Sequence, residues 1–140
     1  SMDVTSSQKG VLMYFEHAAW NVPDPNAMSE WYVAHCGVHV VSAKEEPPYT
    51  QFLADATGRV IFEIYSNPEA PIPDYGSQHP LCLHLAFAVE AIDVERDRLL
   101  DAGATLYSEQ TLDNGSRLVM LRDPWGIPLQ LVKRSVSLIR

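Results

Sequence analysis

A shift of 67 residues lays the second half of this 140-residue chain over its first. It carries His17 onto His84 and Glu63 onto Gln130, with 46 residues between the members of each pair. Neighbouring residues keep the register. Glu16-His17-Ala18-Ala19-Trp20 overlies Leu83-His84-Leu85-Ala86-Phe87, and Ile61-Phe62-Glu63-Ile64-Tyr65 overlies Pro128-Leu129-Gln130-Leu131-Val132. A repeat of this length constrains the fold more than any local signal, because it implies two copies of one supersecondary unit. Each polar residue of the set interrupts an apolar run rich in aliphatic, β-branched and aromatic residues, which reads as strand with a buried face.

At 15.6 kDa the chain has the size of one ordinary domain, so two half-size modules packed as a single domain are expected, rather than two independent domains. A formal charge of −8 with no Lys/Arg cluster argues against nucleic acid or an anionic membrane as partner, since phosphate contacts need concentrated positive charge. No apolar run reaches membrane-spanning length and the first ten residues show no signal segment, which leads to the expectation of a cytoplasmic protein. Cys36 and Cys82 are too few for a disulfide framework and are expected as buried free thiols. Cys82, two residues before His84 and so on the same strand face, is also a candidate to line a pocket.

Residues 12–22 read as a first strand. Asp24-Pro25 then offers a helix cap with proline at the first helical position, and Met28, Trp31, Tyr32 and His35 follow at helical spacing until Gly37. Short strands are expected at 38–42, 50–54 and 60–65, so the first module, 12–66, is βαβββ. Residues 67–80, with four prolines, read as an exposed linker. The second module, 81–134, repeats the order: a strand over 81–89, a helix over 93–102, and strands near 105–109, 117–121 and 127–132. Residues 1–11 are expected to be disordered or tag-derived, and 135–140 to form a C-terminal tail. Asp113-Asn114-Gly115 and Asp123-Pro124-Trp125-Gly126 are strong turn signals.

The stretch His17-Ala18-Ala19-Trp20-Asn21-Val22-Pro23-Asp24 leading to Trp31-Tyr32 and Gly37, with Leu121-Arg122-Asp123-Pro124-Trp125-Gly126-Ile127-Pro128-Leu129-Gln130-Leu131, resembles the glyoxalase/bleomycin resistance/extradiol dioxygenase superfamily, the vicinal oxygen chelate proteins. The resemblance covers residues 12–134, and the aspartate-proline-x-glycine turn before the last strand is its most specific part. It implies an α+β fold of two tandem βαβββ modules whose curved mixed sheet encloses a cup. A divalent metal would be held by the first and fourth strand of each module. Carried over residue by residue, the metal positions fall on His17, Glu63, His84 and Gln130.

Imidazole and carboxylate suit Ni²⁺, Zn²⁺, Co²⁺, Mn²⁺ or Fe²⁺, and an amide oxygen is a weaker donor. Two histidines on apolar strands could simply be satisfied core residues. The symmetric quartet weighs against that, because a buried Glu63 without a cation or hydrogen-bond partner would be costly. Strand parity sets Asn21 on the His17 side and Tyr65 on the Glu63 side, which makes both, with Cys82, candidate substrate contacts. His35, His39 and His79 are expected to be structural or solvated.

Three activities fit the resemblance. The leading one is a metal-dependent lyase or isomerase acting on a small molecule with adjacent oxygens, with Glu63 as catalytic base. Such lyases usually carry carboxylates at both fourth-strand positions, and Gln130 departs from that pattern. An extradiol-type iron dioxygenase would use His17, His84 and Glu63, but the similar enzymes place the carboxylate on the last strand. The third is a metal-free small-molecule binder like the bleomycin-resistance proteins. A homodimer is expected, with sites within one chain or shared by exchange of modules.

Overall fold

The computed structural model describes residues 10–139, so all but the last two residues of the expected disordered or tag-derived segment, 1–11, lie outside the described residues. The elements run β1 (Ala18–Asn21), α1 (Pro25–His35), β2 (His39–Ala43), β3 (Gln51–Ala54), β4 (Val60–Tyr65), β5 (Leu85–Ala88), α2 (Ile92–Asp101), β6 (Thr105–Thr111), β7 (Arg117–Arg122) and β8 (Pro128–Lys133). This is βαβββ twice over. The chain divides into two compact units, one up to Pro71 and one from Ile72.

In the first unit the sheet order is β1-β4-β3-β2, with β1 and β4 parallel and the other pairs antiparallel. Phe62 and Ile64 alternate with Glu63 along β4 and are buried, while Glu63 is half-buried on the opposite face. Trp20 stacks on Phe62 at 4.8 Å between ring centroids, and Tyr32 of α1 meets Phe62 edge-on at 5.9 Å. The helix buries Met28, Ser29 and Tyr32, leaving Trp31 and His35 half-exposed in contact with each other. Asp24 caps its start, the carboxylate accepting from the Ala27 amide at 3.1 Å with Pro25 behind it.

The second unit has the matching order β5-β8-β7-β6. Leu129 and Leu131 of β8 and Val119 and Leu121 of β7 are buried, as are Ile92 and Leu99 of α2, which packs on these two strands. The repeat extends to the residue register. Ala18, Ala19, Trp20 and Asn21 pair with Phe62, Glu63, Ile64 and Tyr65, and the residues 67 positions on, Leu85 to Ala88, pair with Leu129 to Val132 in the same order.

Three expectations need correction. The strands expected over 12–22 and 81–89 are only four residues each. A parallel strand extends only as far as its partner, and β4 and β8 begin at Val60 and at Pro128, which has no amide to donate. Residues 11–15 are therefore outside any strand, with Val11 to Phe15 all well exposed. The linker is not wholly exposed, since Tyr75 and Pro80 are buried and a single helical turn forms at Tyr75–Ser77. Its second half is fastened by Arg122, whose guanidinium donates to the carbonyls of Tyr75, Gln78 and Gly126. Neither cysteine is buried. Cys36 is half-exposed, and Cys82 is exposed in a turn where its amide donates to the His79 carbonyl, so strand parity does not apply to it.

The turn before β8 shows why its residues are what they are. Asp123 is buried and its Oδ1 accepts from the amides of Trp125 and Ile127, both at 2.9 Å. Gly126 has φ +88°, and a Cβ there would stand 2.7 Å from the Gly76 nitrogen, so only glycine fits. Among the described residues no helix is long and apolar enough to cross a membrane.

Candidate functional site

Each unit positions one histidine immediately before its parallel edge strand: His17 before β1 and His84 before β5. In the first unit His17 Nε2 lies 3.4 Å from Glu63 Oε1. The pairing of Ala19 with Glu63 sets the carboxylate on the face that His17 shares by parity. Phe52, directly across β3 from Glu63, presents its ring edge-on to the imidazole at 5.3 Å. On the other side of the ring, His17 Nδ1 donates to Glu16 Oε1 at 2.8 Å. A carboxylate can only accept, so Nδ1 carries the proton and Nε2 of a neutral ring is a bare lone pair.

That leaves two acceptors, Nε2 and Glu63 Oε1, facing each other. Their proximity is favourable only with a cation between them: a second proton on the ring, or a metal ion. An outer hydrogen bond that fixes the tautomer and frees Nε2 is the usual support for a metal-bound histidine.

In the second unit His84 Nδ1 donates to the Pro80 carbonyl at 3.0 Å, which again fixes the proton on Nδ1 and frees Nε2. Gln130 is half-buried in the middle of β8, paired with Ala86 and Met120, and its amide has no hydrogen-bond partner among the described residues. The donor chemistry of both units therefore fits a divalent cation. Taken unit by unit, His17 and Glu63 are strong donors for such an ion in the first, and in the second His84 is a strong donor and the Gln130 amide oxygen a weaker one. The first unit brings His17 and Glu63 together. No group of three or more His, Cys, Asp and Glu side chains assembles among the described residues.

The expected substrate contacts fare differently. Asn21 is 8% exposed and committed to the backbone: its amide donates to the carbonyls of Asn67 and Ala70 and accepts from the Asn67 amide at 2.7 Å. It anchors the start of the linker. Tyr65 is half-buried on β4, on the Glu63 face. Cys82 belongs to the turn already described. His79, in the linker, accepts from the Leu81 amide and stands 3.3 Å from the Tyr107 hydroxyl. Glu16, Phe52 and the Pro80 carbonyl, which orient the two imidazoles, carry no signal in the sequence beyond their nearness to the histidines or to Glu63.

The sequence matches the glyoxalase-like domain family over residues 17–132, from the first candidate ligand to two positions past the last. The chain belongs to that family. The resemblance to the glyoxalase/bleomycin resistance/dioxygenase superfamily and the tandem βαβββ fold are thus borne out. Among solved structures, this glyoxalase-like domain is similar to SMU.1112c, with 27% identity over 87% of this chain and 99% of that one and a TM-score of 0.67. A glyoxalase family protein from Enterococcus faecalis is 25% identical over 86% of this chain and 97% of that one, with a TM-score of 0.65. TnmS3, an antibiotic binding protein from Streptomyces sp. CB03234, has a TM-score of 0.67 over 89% of this chain and 98% of that one, but at 18% identity the likeness is of fold alone. No curated protein matches the chain.

Proposed function

We propose that this glyoxalase-like domain is a metal-dependent lyase or isomerase acting on a small substrate with adjacent oxygens, with Glu63 as the group that moves a proton. The observation that carries the reading is the 3.4 Å approach of Glu63 Oε1 to an imidazole nitrogen left bare by the Glu16 hydrogen bond. His17, Glu63, His84 and the Gln130 amide oxygen would hold the ion, two donors from each module, in one chain or in a homodimer that exchanges modules. A bound divalent ion supplies a Lewis acid that polarises a substrate carbonyl.

The chain's own residues do the rest. Glu63 accepts the proton from the carbon beside that carbonyl and returns it to the neighbouring position. His17 is kept from rotating by Glu16 on one side and by the Phe52 ring edge. Gln130 is neutral, so the four donors carry one negative charge rather than two and favour a substrate that brings an anionic oxygen pair.

Exchange of substrate protons with deuterium, followed by NMR on thiohemiacetals of 2-oxoaldehydes and on 2-hydroxy ketones with Co²⁺- or Ni²⁺-loaded protein, tests this. The expected result is exchange that falls at least about a hundredfold in Glu63→Gln. Exchange as fast in Glu63→Gln as in the parent would overturn Glu63 as the base. A protein that takes up no metal and catalyses no exchange would instead be a small-molecule binder, the activity printed for TnmS3.

A further inference from the structure

The second unit holds a cavity of about 650 Å³, within the range of small-ligand sites, between the edge of its sheet and the C-terminal segment. Its floor is Ala86, Ala88 and Val132, small or compact residues on the sheet face that Gln130 shares by register. Leu138 and Ile139 of the C-terminal segment also line the cavity and are 72% and 63% exposed, so an occupant would cover apolar surface now in water. The segment's course is set by hydrogen bonds: the Ser135 amide donates to the Ser116 hydroxyl, and the Ile139 amide donates to Ser137 Oγ.

Charge selects the occupant. Two of the three charged residues at the cavity, Glu90 and Lys133, neutralise one another in an ion pair, and Lys133 holds the Glu90 carboxyl below its usual range. Arg134 is the third, half-buried and without an ion-pair or hydrogen-bond partner among the described residues. An unpaired guanidinium beside an apolar floor, in a chain of net charge −8, matches a carboxylate on an apolar body. We propose that module two binds a small amphipathic organic acid in this cavity, its apolar part on Ala86, Ala88 and Val132 and its carboxylate on Arg134. The site lies within one unit and uses none of the candidate metal ligands.

Calorimetric titration of the full chain with 2-naphthoate and with the neutral 2-naphthalenemethanol, in EDTA, tests it, with thermal melting confirming that each variant is folded. The acid is expected to bind about tenfold tighter than the alcohol. Arg134→Gln should erase that preference, Ala88→Phe should weaken both ligands, and His17→Ala should change neither. Equal affinity for acid and alcohol in the parent, a preference that survives Arg134→Gln, or loss of naphthoate binding in His17→Ala would overturn the proposal. Because metal is absent throughout, failure of the metal-dependent reading leaves these outcomes unchanged.

Discussion

His17 and His84 present the same bare Nε2 but are held from behind by different groups: a largely exposed carboxylate for His17, the carbonyl of buried Pro80 for His84. Glu16→Ala should therefore weaken metal binding by only about tenfold, since water can replace an exposed acceptor in this orienting shell. Titration of apo protein with Co²⁺ measures it, and unchanged affinity would show that Glu16 does not orient the ligand. The Glu16 contact was not legible in the sequence, where neighbours on a strand point to opposite faces; it forms because His17 lies just outside β1. The partners of Asn21 were hidden for a related reason. Parity placed it on the His17 side but could not show that the linker backbone takes up its amide. Asp123→Ala should cost about 2 kcal/mol in urea denaturation, because two amides lose their acceptor.

The two helices start from the same place in the repeat with unequal caps. Asp24 accepts an amide hydrogen at the start of α1, whereas Ala91 offers α2 no side-chain acceptor. Asp24→Ala should lower stability by about 1 kcal/mol and Ala91→Ser raise it by about 0.5 kcal/mol, both read from chemical denaturation midpoints. No difference between the two substitutions would mean that tertiary packing, not capping, fixes both helix starts. The first helix was legible because its signals are local, Asp24-Pro25 before it and Gly37 behind. β4 was read to the residue for the same reason, with Thr57-Gly58 before it and the proline-rich stretch after. The strands containing the histidines were overextended because their lengths are set by remote partners, β4 and β8, and nothing near residues 12–17 or 81–84 encodes where those begin.

The 67-residue shift carries one parallel register onto the other across four consecutive pairs, and with it the pairing of Ala19 with Glu63 onto that of Ala86 with Gln130. The duplication was readable from four polar residues in apolar runs. What each copy does with its pair was not, since the tautomers depend on Glu16 and on a backbone carbonyl. Under the proposed function this duplicated arrangement would hold a cation. Mass-spectrometric metal content of the purified full chain after loading with Ni²⁺, Co²⁺, Zn²⁺, Mn²⁺ or Fe²⁺ and desalting tests it most directly. One ion per site set is expected for at least one of these metals, lost in both His17→Ala and His84→Ala. No retained metal under any loading, or full retention in either variant, would contradict it.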